Sequence, residues 1–147
     1  MRSSLLCLLA GAVGTAAAAA SSAHSIVHYV HKDLAVRHCS FQLFATPPST
    51  PDGDFVFTFV PALNKQASQV SLQSSNYNTK YITPITDPDV EKAGRLGLRD
   101  SPDPDASSFT QVPGLADAQA GVSFKAADGT YVCLGTALSG GCAPPLL

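Results

Sequence analysis

Helical stretches, clustered basic residues and glutamate are all scarce in this sequence. Only 14% of its residues are charged, the net charge is -2, and no run of Lys or Arg stands out. A nucleic-acid partner is therefore not expected, because phosphate recognition needs a concentrated positive surface. Glu91 is the sole glutamate, and most aspartates fall in loops. A glycosidase needs two carboxylates facing one bond at about 5 to 9.5 Å, and no candidate acid and base pair is visible, so hydrolysis by this chain is not expected. The one possible helical turn, 89–93, ends at Gly94 and is too short to stand alone. With 147 residues there is room for one domain and none for a two-domain enzyme.

The chain does have apolar content, at 45%, together with eleven Gly and eleven Pro. It can bury a core, and its many turns suit an all-β fold. Its first stretch belongs to something else. Arg2 is followed by an apolar and small-residue run from Leu5 to Ala20, with small residues continuing to Ala23. That pattern predicts a secretory signal peptide over 1–23, and so a secreted, extracellular protein with no membrane attachment after cleavage. The run is mostly Ala after Leu9 and shorter than the roughly 20 residues of a spanning helix. Small residues stand one and three positions before two possible cuts, after Ala20 or after Ala23.

Loss of that leader removes Cys7 and leaves Cys39, Cys133 and Cys142. Cys133 and Cys142 flank Leu-Gly-Thr-Ala-Leu-Ser-Gly-Gly, a flexible segment able to turn back on itself, so their pairing as a disulfide is expected in an oxidising compartment. Cys39 is then the odd cysteine, read as a small buried apolar side chain.

Internal repetition carries the most information. Phe57-Thr58-Phe59-Val60-Pro61-Ala62-Leu63, then Val70-Ser71-Leu72-Gln73 and Lys80-Tyr81-Ile82, recurs as Phe109-Thr110-Gln111-Val112-Pro113-Gly114-Leu115, Val122-Ser123-Phe124-Lys125 and Thr130-Tyr131-Val132. A weaker copy lies upstream, where Ser25-Ile26-Val27 precedes Ala35-Val36-Arg37-His38. Ser25 and Ser71 are 46 residues apart, and Ser71 and Ser123 are 52 apart. Each copy alternates apolar and polar residues over short runs and then breaks at Pro, Gly, Asn or Asp. This is the pattern of half-buried strands joined by turns.

Several segments carry a family resemblance: Val36-Arg37-His38-Cys39-Ser40-Phe41-Gln42-Leu43, Asp54-Phe55-Val56-Phe57, Asp105-Ala106-Ser107-Ser108-Phe109 with Val112-Pro113-Gly114-Leu115-Ala116-Asp117, and Gly121-Val122-Ser123-Phe124. From about Ser25 to Leu134 the chain resembles the arabinose-binding domain of fungal α-L-arabinofuranosidase B. The resemblance implies a β-trefoil of three subdomains, each with a Tyr-Leu-Arg-His-like strand end and a later Asp-Ala-Ser-Phe segment. Here it implies a β-trefoil-like domain over 24–147 whose third repeat is truncated. Either the gene model ends early or the N-terminal strand completes the trefoil.

The resemblance also implies a function, recognition of arabinofuranosyl side chains of arabinoxylan or arabinan by a monomer without cofactors. His38 and Asp54 would hydrogen-bond the sugar, with Arg37 beside them. Chemically this is sensible: sugar hydroxyls both donate and accept, a carboxylate only accepts, and an imidazole does either. The second copy has Thr83 and Pro84 where Arg and His belong, and the third has Cys133 and Leu134. Two weaker candidates join the binding set. Asp105 stands four residues before Phe109 instead of three, and Tyr81 aligns with Tyr131 at a repeat position that reads as core.

Two other readings remain open. Cleavage after Ala23 would place His24 at the mature N-terminus, where a free amine and imidazoles hold copper in secreted monooxygenases, with His28 on the same strand face as the further ligand. The other reading is a secreted trefoil that has lost sugar binding and serves as an interaction scaffold.

Overall fold

The computed structural model describes residues 22–27, 31–48, 53–86 and 95–133. Among these residues nine strands follow one another: β1 (Ser22–His24), β2 (Ala35–Cys39), β3 (Gln42–Thr46), β4 (Phe57–Pro61), β5 (Gln69–Ser74), β6 (Lys80–Pro84), β7 (Leu96–Asp100), β8 (Phe109–Pro113) and β9 (Val122–Lys125). Among the described residues the one helical element is a 3-10 turn, Gly53–Phe55. The fold is all-β, as the alternating patterns predict.

Every pairing is antiparallel, and the sheet runs β1-β4-β5-β6-β7-β3-β2, with β8 joined to β5 and β9 to β8. β5 is the hub. It pairs β4 along its length from Val70 to Ser74, β6 at Gln73 and β8 at Gln69 and Val70. A strand that shares itself among three neighbours cannot lie in a flat sheet, and the sheet curls around its apolar face.

The internal repeats reappear as pairing register. Val60 faces Ser71 and Pro61 faces Val70, just as Val112 faces Ser123 and Pro113 faces Val122. The Ser71 hydroxyl accepts the Leu63 N–H at 3.0 Å, and the Ser123 hydroxyl accepts the Leu115 N–H at 3.1 Å. The upstream copy makes the matching contacts too. Val27 bridges Ala35 where Gln73 meets Tyr81 and Lys125 meets Tyr131. The Val36 N–H donates to Ile26 O at 2.8 Å, as Val132 N–H does to Phe124 O at 3.0 Å. His24 faces Phe57 as Val70 faces Phe109.

The core follows the same repetition. Phe57, Leu72, Ile82, Leu98, Phe109 and Phe124 form its buried cluster, with Ile26, Val36, Leu43, Phe59, Val70, Leu96 and Ala126 packed around it. Ile26, Leu72 and Phe124 hold one repeat position, and Phe57 and Phe109 hold another. Phe124 meets Phe59 and Phe109 edge-on, with ring centroids 5.7 and 6.4 Å apart. Edge-to-face rings of this kind add about 0.5–1.5 kcal/mol to simple burial.

Two expectations are corrected by the fold. Tyr131 is at the surface and not in the core, and Tyr81 is only half-buried. The reason for Tyr131 is turn length. It stands six positions beyond its bridge partner Lys125, against eight from Gln73 to Tyr81, and its ring lies out where the Lys125 ammonium approaches its face at 5.9 Å. The cysteine assignment also changes. Cys39 is disulfide-bonded, while Cys133 is a free, exposed thiol, so the expected Cys133 to Cys142 bridge is not formed. A flexible eight-residue loop permits closure but does not select it; strand placement does. Cys142 itself lies outside the described residues, as do the possible turn at 89–93 and the signal segment up to residue 21.

Candidate functional site

Three local structures converge at the end of β2. The first is the hairpin linking β2 to β3, a two-residue loop in which Ser40 (φ 49°) and Phe41 (φ 61°) both take the left-handed conformation. That is the type I′ geometry whose twist suits a hairpin, here built without the usual Asn-Gly. For a bulky residue such as phenylalanine this conformation is strained. It is held in place because the Phe41 carbonyl accepts the Leu98 N–H at 2.8 Å. Gly97 makes room for that carbonyl, which a Cβ at position 97 would approach to 2.6 Å.

The second is the 3-10 turn, closed by Val56 N–H to Gly53 O at 3.2 Å, which carries Asp54. The third is the 75–79 turn between β5 and β6, where the Ser74 hydroxyl accepts the Tyr77 N–H at 3.4 Å and the Tyr77 carbonyl accepts the Lys80 N–H at 2.8 Å.

Arg37, His38 and Asp54, separated by up to 17 residues, form one cluster. Asp54 Oδ2 accepts from Arg37 Nη2 at 3.3 Å. Asp54 Oδ1 accepts from Asn76 Nδ2 at 2.8 Å and lies 3.2 Å from His38 Nε2. A carboxylate can only accept, so the Asn76 amide must present its nitrogen to Asp54 and its oxygen elsewhere. That oxygen accepts the Ser74 hydroxyl at 2.7 Å and stands 3.0 Å from His38 Nε2. With two acceptors in front of it, Nε2 is assigned as the protonated ring nitrogen.

Exposure divides the cluster into two roles. The His38 side chain is 4% exposed, against 27% for Asp54 and 31% for Arg37. The imidazole is buried, so a ligand arriving from solvent would meet Asp54 and Arg37 first. It positions Asp54 and Asn76 from beneath. The half-exposed carboxylate and guanidinium are the surface of the site, and together they offer an acceptor and a fork of donors.

An aromatic rim flanks the cluster. Tyr77 meets His38 and Phe41 edge-on at 5.3 and 5.4 Å, the Lys80 ammonium lies 4.7 Å from the Phe41 ring centre, and Arg37 lies 5.5 Å from that of Phe55. Phe41 and Tyr77 are 39% and 42% exposed. Asn76, Tyr77 and Phe41 are functional candidates that sequence reasoning missed. The first two carry no motif in the sequence, and Phe41 stands there only as part of the Val36–Leu43 segment that carries the family resemblance.

The weaker candidates lie in other settings. Asp105 Oδ1 accepts from Asn64 Nδ2 at 3.0 Å in the loop before β8, and the Tyr81 hydroxyl accepts from Gln73 Nε2 at 3.2 Å. Thr83 is buried in β6, and Pro84 pairs Leu96 at that strand's end. His24 packs its ring on Phe59 at 4.7 Å; its suggested copper partner His28 lies outside the described residues. Among the described residues no three His, Cys, Asp or Glu side chains are grouped to hold a metal ion.

The chain matches no family model and no curated protein.

Proposed function

We propose that this chain is a secreted, non-catalytic carbohydrate-binding module of β-trefoil type that takes terminal arabinofuranosyl groups of plant polysaccharides. The observation that carries the reading is the convergence of Arg37, His38 and Asp54 into one hydrogen-bonded set with a half-exposed polar face. Neighbouring hydroxyls of a pentose supply one donor and one acceptor. The Asp54 carboxylate takes the first, and the Arg37 guanidinium serves the second. Phe41 and Tyr77 give the ring's apolar face a surface to lie against. The trefoil reading is supported by the repeated register of the three copies, in which the upstream strand β1 occupies the place that β5 takes in the next copy.

The test is affinity electrophoresis in soluble arabinoxylan. The expected result is retardation of the wild-type protein, lost in Asp54→Ala and in Arg37→Met. Unchanged wild-type mobility overturns the reading.

A second reading, a trefoil scaffold without sugar binding, is favoured by one observation. Asp54 already receives hydrogen bonds from Arg37 and Asn76 within the protein. It predicts that Asp54→Ala lowers stability and that no plant polysaccharide retains the wild type.

A further inference from the structure

An open surface depression of about 540 Å³ is lined by Leu63, Asn78, Thr79, Tyr81, Ser101, Pro102 and Pro104. Its walls combine an aromatic ring and two prolines with an amide and two hydroxyls. That is the composition of a surface for a sugar ring, which needs flat apolar contact on one face and hydrogen bonds at its edge. Its geometry is fixed from several sides. The Tyr81 hydroxyl accepts from Gln73 Nε2, whose amide also donates to the Asn78 carbonyl. Thr79 Oγ1 donates to Asp100 Oδ1 at 2.6 Å, and Lys80 is ion-paired to the same carboxylate. Ser101, next in the chain, takes a left-handed conformation at φ 45°, a strained backbone in the wall of the depression.

The depression and the Asp54 cluster share the 75–79 turn. One turn serves both, since Asn76 bonds Asp54 and Asn78 lines the depression, and two residues of chain reach no more than about 7 Å. A path of contacts joins them as well: His38 to Tyr77, Tyr77 to Phe41, Phe41 to Lys80, Lys80 to Asp100, and Asp100 to Thr79.

We infer that the Tyr81 depression is a second subsite, which takes the next sugar unit of a glycan whose terminal arabinofuranose lies against Asp54 and Arg37. The inference rests on the proposed function and assigns that site a preference for oligosaccharides. Tyr81 then acts through its half-buried ring, and Asn78 and Thr79 through side chains at the rim.

Isothermal titration calorimetry separates the two claims, with methyl α-L-arabinofuranoside as the single-unit probe and an arabinoxylan-derived oligosaccharide as the extended one. The expected result is oligosaccharide affinity about tenfold above that of the single unit. Pro104→Trp, which fills the depression from an exposed loop position outside the 75–79 turn, should remove that gain and leave single-unit binding unchanged. Tyr81→Phe, which keeps the ring, should retain most of it. Equal affinity for both probes in the wild type, or an oligosaccharide advantage that survives Pro104→Trp, overturns the second subsite and leaves the Asp54 site standing. Binding of neither probe overturns both.

Discussion

Replacement of Gly97 by alanine sets two effects of opposite sign against each other. Gly97 has an ordinary backbone conformation, since Gly129 is the positive-φ glycine among the described residues. On backbone entropy alone an alanine would stabilise the protein by about 0.4–1 kcal/mol. The structure opposes this. The added Cβ would stand 2.6 Å from the Phe41 carbonyl oxygen and 2.8 Å from Ile85 Cδ1. The isoleucine can turn aside, but the carbonyl belongs to a hairpin tip pinned by the Leu98 N–H. Overpacking of this kind costs about 1–3 kcal/mol, and weakening the Phe41 to Leu98 hydrogen bond adds about 0.5–1.5 kcal/mol. The clash therefore wins, with a net loss of about 0.5–4 kcal/mol once the entropy gain is subtracted. In urea unfolding this is a midpoint lowered by about 1 M at an unchanged slope. The same displacement moves Phe41 away from Tyr77, so amide signals of 40–41 and 76–77 should shift together. A Gly97→Ala protein at or above wild-type stability would refute the placement of the Phe41 carbonyl against β7.

Further outcomes follow from other parts of the molecule. Ser40→Asn, which suits the left-handed turn position, should raise stability by about 0.5–1 kcal/mol in the same assay, and a loss would argue against the type I′ hairpin. Phe57→Ala and Phe109→Ala, at equivalent repeat positions in the buried cluster, should each cost about 3–5 kcal/mol; a surface-like cost at either would break the equivalence. The Asp100 carboxyl is held below its ordinary pKa by hydrogen bonds from Lys80 and then Thr79. A depressed folded value means that its contribution is present above the unfolded pKa and is lost as pH falls through the folded one, that is, below about pH 4. Asp100→Asn should therefore flatten the acid limb of the stability profile, and an unaltered limb would contradict the assignment. Finally, Ser22 and Ala23 pair with Phe59 and Thr58 in β1, and a cut after Ala23 would remove both. If the chain is exported as proposed, mass spectrometry of the mature protein should find Ser21 as its first residue, whereas a start at His24 would cost the sheet most of β1.

The parts of this fold that could be read in the sequence are those set by local pattern. The Ser71 and Ser123 copies share alternation, a Pro-terminated strand and a serine at one register position, and the structure gives both serines the same hydrogen bond. Arg37, His38 and Asp54 were named together on the strength of the family resemblance, and their side chains meet. What could not be read depends on contacts between distant segments. Asn76 completes the cluster from a turn 38 residues beyond His38, and no periodicity links the two. The depth of His38 is likewise set by what packs over β2. Phe41 is exposed only because a two-residue turn lifts it, and the bonded state of Cys39 depends on where the strand carries it.

The central claim, that Asp54 and Arg37 present one polar face to a pentose, is tested most directly by an amide NMR titration with methyl α-L-arabinofuranoside. The account predicts saturable shifts gathered at 37–41, 53–56 and 75–79, absent in Asp54→Asn. Saturation without movement of those signals, or shifts centred elsewhere on the sheet, would contradict it.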